Sequence, residues 1–243
     1  MLEAFGWGAI TAASLLIGSC VALRWKLPNK IVGWFMAFGA GALISAISFD
    51  LFEEAATTAE RKSIVFVGLA IGALVYFGGD WMLDRRGGDG RKDIEGDQEG
   101  ADGEGIVLGS VLDGIPESFV IGGSLVTGGS VSLAIVAAAF ISNIPEGLAS
   151  TAGLKTSGRS NREIVLLWIK IIIVSGISSL VGYLVLDKTS PDVGAFAQAF
   201  AAGAMLTMLA DTMMPEAFEE GGKLVGLLTV LGFSVAVLIS ALN

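Results

Sequence analysis

The sequence contains no histidine and a single cysteine, Cys20, among its 243 residues. Without imidazole, zinc sites of the His/Cys type are excluded. One cysteine cannot close an intramolecular disulfide, and it says nothing about compartment. Cys20 falls inside an apolar run, where it reads as a packing residue. Charge is scarce too, at 16% of residues, with acids outnumbering bases 24 to 15 and a net charge of −9. That balance offers no basic surface for nucleic acid. There is no HExxH metalloprotease motif and no Walker-type phosphate loop, and serines beside glycine such as Ser124 and Ser175 have no histidine base. The chain is therefore read as a non-enzyme with no organic cofactor.

What is present is apolar residue after apolar residue. Hydrophobic residues make up 53% of the chain, with a mean hydropathy of +0.73. They come in runs at residues 4–23, 63–79, 105–126, 131–142 and 164–186, with few or no charges. About 20 such residues are needed for a helix to cross a bilayer core of about 30 Å. A membrane β-barrel would instead show segments of about ten residues alternating with period two. The 34 glycines fit a helical membrane protein, where small residues let helices approach closely. The sequence thus predicts one membrane domain, 1–243, all-α, with eight spans at roughly 4–23, 31–56, 63–83, 105–127, 131–154, 163–186, 194–215 and 221–242. The first run lacks a basic start and a small-residue cleavage site, so it is read as a span and not as a signal peptide.

The connections are short except at 84–104, which hold eight acids, four bases and one large hydrophobe, Ile94. Such a segment cannot bury a core, and it is expected to be a disordered loop. Lys and Arg set the orientation. The loops after spans one, three, five and seven carry Arg24, Lys26, Lys30, Arg85, Arg86, Arg91, Lys92, Lys155, Arg159, Arg162 and Lys223, against Arg61, Lys62 and Lys188 on the other side. This imbalance predicts a multi-pass protein of the cytoplasmic membrane with the acidic loop inside and both termini outside.

Two repeats stand out. Gly41-Ala42 is followed thirteen residues on by Glu54-Ala55, and Gly203-Ala204 is followed thirteen residues on by Glu216-Ala217. By the orientation above, these segments run in opposite directions, as in an inverted-repeat transporter. The second repeat lies in spans four and five, as Asp113-Gly-Ile-Pro-Glu117-Ser and Ser142-Asn-Ile-Pro-Glu146-Gly.

This second repeat concentrates the chemistry. A charge at the bilayer centre costs about 2.5–3.5 kcal/mol on insertion scales, so such acids persist only when paired, protonated or bound to an ion. Asp113 and Glu117 are one helical turn apart, as are Ser142 and Glu146. In antiparallel spans joined near Gly128 to Ser130, Asp113 matches Glu146 in depth and Glu117 matches Ser142, so the four face each other as oxygen ligands. The Asn143 amide oxygen is a fifth candidate. Pro116 and Pro145 free the carbonyls of Leu112 and Ile141. Carboxylates with carbonyls make a cation site, whereas prolines that merely kink two helices would be the plainer reading.

Lys170 lies about 12 Å into span six, counted from Arg162 at 1.5 Å per residue. It either pairs with Glu146 or Asp113 or snorkels to the interface. Asp50, Glu54, Asp211 and Glu216 lie towards the mouths, where they concentrate cations or end helices in solvent.

Together these residues resemble the ZIP family of metal transporters. The resemblance covers nearly the whole chain: eight spans in a 3+2+3 arrangement, a long loop after span three, and Pro-Glu pairs in spans four and five. Asp113 and Gly114 stand where the family's fourth helix has His and Asn, while Pro116 and Glu117 match. Ser142 stands at a position usually His or Gln, while Asn143, Pro145, Glu146 and Gly147 match. The resemblance implies metal transport, an elevator motion of helices one, four, five and six, and a homodimer. The expected substrate is a divalent ion (Zn, Mn, Fe or similar) moved toward the cytoplasm, with hard oxygen ligands favouring Mn²⁺ or Fe²⁺. The alternative is a non-transporting homologue locked by Lys170, acting as sensor or scaffold.

Overall fold

The computed structural model describes residues 1–85, 103–127 and 131–242. Apart from its ends, the expected acidic loop lies outside the described residues, as does the turn near Gly128 to Ser130. Among the described residues every regular element is helical. The elements are α1 Leu2–Arg24, α2 Asn29–Ala46, a π-helical stretch Ile47–Glu53 leading into α3 Glu54–Thr58, α4 Lys62–Leu83, α5 Gly103–Thr127, α6 Leu133–Thr156 and α7 Asn161–Leu186. They continue with α8 Pro191–Met208, a second π-helical stretch Leu209–Met213, α9 Met214–Gly221 and α10 Val225–Ala241.

Local chemistry sets the helix starts. The Ser132 hydroxyl accepts from the Ile135 amide and caps α6. Ser160 and Glu163 form a capping box on α7, each satisfying the other's free amide. Pro191 opens α8, where its missing N–H costs nothing.

Among the described residues, seven helical stretches are long and apolar enough to cross a membrane. The expected seventh and eighth spans run together as Pro191–Ala241, 51 residues. No extended loop separates them. The chain turns at Gly222, whose φ of 65° suits a residue without Cβ, and a single 3-10 turn leads into α10. The outer faces are apolar, with Phe66, Leu74, Ile173, Ile177, Leu227 and Val230 exposed. Polar groups lie inside, among them Asp113, Glu117, Ser142, Ser175 and Gln198. An oily exterior over a polar interior is what a lipid solvent selects.

Glycine sets the packing. Gly41 of α2 lies against the Thr229 carbonyl of α10, and Gly232 against that of Phe38. Gly203 of α8 lies against the Leu69 carbonyl of α4, and Gly72 against that of Phe200. The same reciprocal contact joins α6 to α1 (Gly147 on Leu15, Gly18 on Ile144) and α5 to α7 (Gly122 on Ser179, Gly182 on Phe119). At each crossing the residue number rises by three on one helix and falls by three on the other, the register of antiparallel neighbours. A Cβ at any of these eight positions would overlap a backbone carbonyl, so the helices touch backbone to backbone. Four antiparallel pairs result: α1 with α6, α5 with α7, α2 with α10 and α4 with α8. α1 also packs along α7, which gathers the first two pairs into one group, α1, α5, α6 and α7; the pairs α2–α10 and α4–α8 make up the other, joined through the first π-helical stretch against α8. The two groups meet mainly where α2 crosses α6. There an added Cβ on Gly39 would stand 2.8 Å from Ser142 Cα.

The Gly-Ala repeat has a structural counterpart. α2 and α8 are each 18 residues long, and each runs straight into a π-helical stretch. Those stretches begin at Ile47 and Leu209, 162 residues apart, the offset that separates Gly41 from Gly203.

Candidate metal site

One small cavity collects Asp113 and Glu117 from α5 with Ser142, Asn143 and Glu146 from α6. All five predicted site residues line it. Asp113 is 3% exposed and Glu117 4%, while Glu146 is half-buried. Met36 of α2, Met208 of α8 and Met213 of the second π-helical stretch close the opposite wall. The cavity holds about 10 Å³, room for about one water-sized body. A bare ion fits that space, and an organic substrate does not.

The side chains share a cavity but not a coordination sphere. Among the described residues, no three His, Cys, Asp or Glu side chains stand close enough together to hold a metal ion. The facing quartet of oxygens expected from the sequence is therefore not assembled as it stands. Local hydrogen bonds supply the reason. The phenol of Tyr76, on α4, donates to Asp113 Oδ1 and holds that carboxylate toward α4. The Ser142 hydroxyl donates back to the Ala139 carbonyl of its own helix at 3.0 Å. The Asn143 amide nitrogen makes a long 3.5 Å contact to the Thr11 carbonyl of α1, leaving Oδ1 as its remaining polar atom.

The other predicted residues lie elsewhere. Asp50 ties helices together: its Oδ1 accepts from Ser132 at 3.0 Å and from Ser240 at 3.4 Å, joining the first π-helical stretch to the start of α6 and the end of α10. Glu54 and Glu216 are half-buried and Asp211 is exposed, and none of the four lines the cavity.

Lys170 requires a correction. It is exposed on α7 and lines a separate groove with Arg159 and Glu163, away from the cavity, so the expected pairing with Glu146 or Asp113 is not made. The phase of the helix explains this. Ile164, Trp168, Ile171, Ser175, Ser179 and Gly182 form the buried stripe of α7, and Lys170 lies one residue off it.

Two features escaped the sequence reading. Tyr76 is 2% exposed in an apolar stretch, and the signal that could have found it is Asp80, one helical turn on and also buried. The three methionines belong to two spans distant from the Pro-Glu motifs, and ordinary core packing would have explained them equally well.

No protein-family model matches the chain. It is 28% identical over 214 residues to an Arabidopsis thaliana protein named "Putative zinc transporter". The match takes in 86% of this chain and 33% of that protein, so the chain spans about a third of the relative's length.

Proposed function

We propose that this chain is a carrier of the ZIP type that moves a divalent metal ion across the cytoplasmic membrane toward the cytoplasm. The ion is held between α5 and α6. The carrying observation is the cavity itself: three carboxyl groups around a space for one ion, inside a bundle whose outside is apolar. Acids in that position are expensive unless a cation or proton compensates them. The name of the plant relative supports metal, and specifically zinc, as cargo.

Counting Pro191–Ala241 as two spans divided at Gly222 gives eight, in a 3+2+3 order. The matched π-helical stretches and the mirrored glycine crossings support an inverted repeat. The two helix groups support an elevator in which α1, α5, α6 and α7 move together. Reciprocal backbone contacts stiffen each helix pair and the α1–α7 packing unites the moving four, while flexible methionines face the acids from the other group at the site.

Function then follows from exchange of partners. An arriving ion sheds water and takes carboxylate oxygens from Glu117 and Glu146. Asp113 leaves Tyr76 to complete the shell, with the Asn143 side chain also lining the cavity. Neutralising the acids lowers the cost of carrying the site across the hydrophobic region. The methionine thioethers add soft donors to a site read from sequence as all-oxygen, which brings zinc back beside manganese and iron. Lys170 faces outward, so the locked-homologue reading has no residue to make the lock. Asp50, Glu54, Asp211 and Glu216 act outside the binding step, at the approaches.

The test is uptake by purified protein in liposomes, across a panel of Zn²⁺, Mn²⁺, Fe²⁺, Co²⁺, Mg²⁺ and Ca²⁺. The proposal expects saturable entry of one or more of the transition ions. No uptake of any ion above empty liposomes overturns it.

A further inference from the structure

A wide cavity lies at the far end of the bundle from Asp50, where the α1–α2 connection passes the C-terminus of α6. It encloses about 620 Å³. Among the described residues Arg24, Lys26 and Lys155 line it and no carboxylate does, and Leu23, Leu27 and Leu148 form its apolar wall. Trp25 beside them is exposed, in the manner of a ring seated at a membrane interface.

In a chain of net charge −9, three cations round one cavity with no acid among them is an unusual concentration. Arg61 pairs with Asp192 at another place, and among the described residues none of the three cations is paired with a carboxylate. Two of them sit at helix ends, Arg24 closing α1 and Lys155 in the last turn of α6, where the helix dipole favours positive charge. That accounts for their presence but not for the cavity between them. A comparable groove between α5 and α7 carries Glu163 among its cations and lacks this one-sided charge.

We propose that this cavity is a binding site for an anionic phospholipid of the adjacent leaflet. Its phosphate would be held by Arg24, Lys26 and Lys155, and the start of an acyl chain would lie along Leu23, Leu27 and Leu148. The occupant follows from complementarity: an anion is required by the cations and a hydrophobic tail by the leucines, and a free phosphate would leave the leucines wet. Basic pockets between helix ends on the cytoplasmic side favour anionic headgroups for this reason. The position has a mechanical consequence. Residues 25–28 are the link between α1, of one helix group, and α2, of the other, and α6 carries Glu146 nine residues before Lys155. A lipid seated here bridges the two groups at their joint. The inference rests on the membrane-carrier reading only for the leaflet it assigns.

The experiment is native mass spectrometry of the full chain released from nanodiscs of equal phosphatidylglycerol and phosphatidylcholine. Wild type, the triple variant Arg24→Ala/Lys26→Ala/Lys155→Ala, and the charge-keeping double variant Lys26→Arg/Lys155→Arg are compared. The wild type should retain phosphatidylglycerol over phosphatidylcholine. At roughly fivefold per surface cation, the triple variant should weaken that preference about a hundredfold, while the double variant should keep it. All three positions are exposed, so the variants should match wild type in thermal unfolding, which is recorded alongside. Equal retention of both lipids by wild type overturns the proposal, and so does undiminished preference in the triple variant. Displacement of the lipid by millimolar inorganic phosphate overturns it as well, since the apolar wall would then contribute nothing. Lipid retention is read without metal. Its failure with metal uptake intact refutes this site alone, and the reverse result refutes the carrier reading alone.

Discussion

α5 and α6 carry the same Pro-Glu motif in different surroundings. On α5, Glu117 is 4% exposed, and its neighbour Asp113 is held by a tyrosine from the other helix group. On α6, Glu146 is half-buried, and its neighbour Ser142 bonds only to its own helix. The next-door helices differ as well: α5 is pinned to α7, where the Ser178 hydroxyl donates to the Ile115 carbonyl at 2.9 Å, whereas α6 is pinned to α1 directly beside its acid, through Gly147 on Leu15. A repeated motif thus yields one deep, anchored acid pair and one more accessible acid. We read α6 as the entry side of the pocket and α5 as its anchor.

The largest expected effect separates the two glutamates. Glu117→Gln removes one of the two deep acids and should weaken divalent-ion binding by at least about a hundredfold, in line with the roughly 3–5 kcal/mol lost when one partner of a buried pair is removed. Glu146→Gln, partly solvated, should weaken it about tenfold, because water and salt screen an exposed charge. Equilibrium dialysis with Zn²⁺ or Mn²⁺ measures both, and equal losses would break the distinction.

Next come the crossings. Gly147→Ala and Gly122→Ala each force a backbone contact apart and should each cost about 1–3 kcal/mol in stability, seen as lowered thermal midpoints in detergent. Only Gly147→Ala, adjacent to Glu146, should also reduce metal affinity. Gly122 lies more than a turn past Glu117, and its variant should stay within about twofold.

Tyr76→Phe should act in two directions at once. Losing a hydrogen bond to a carboxylate should destabilise the metal-free protein by about 1.5–3 kcal/mol. Freeing Asp113 to join the other acids should tighten metal binding. Thermal unfolding and dialysis on the same preparation show both, and weaker binding would mean that Tyr76 supports the site instead of restraining it. The smallest effect belongs to Lys170→Ala, which should leave affinity unchanged within about twofold, because the ammonium stands outside the cavity. A large change would restore it to the site.

Much of this was legible in the sequence because the signals are local. Apolar runs fix where helices lie, and the five residues picked out around two Pro-Glu motifs 29 residues apart line one cavity. What the sequence hid depends on which face of a helix meets which neighbour. Lys170 and Ile171 are adjacent in sequence and opposite in environment, and in a span apolar on every side no periodicity tells them apart. Tyr76 acts across a helix contact 37 residues away, which no motif encodes. The Gly-Ala repeat was visible, but not that each copy runs into a π-helical stretch or that glycines mirror each other at four crossings, since those are properties of pairs of helices.

The central claim is that the acids of α5 and α6 together hold a single divalent ion. Its most direct test is the binding stoichiometry and affinity of purified protein for Zn²⁺ and Mn²⁺, in wild type and in Glu117→Gln/Glu146→Gln. We predict one ion per chain in the wild type and no saturable binding in the double variant. Wild-type affinity in the double variant, or two ions per chain lost independently of these residues, would contradict it.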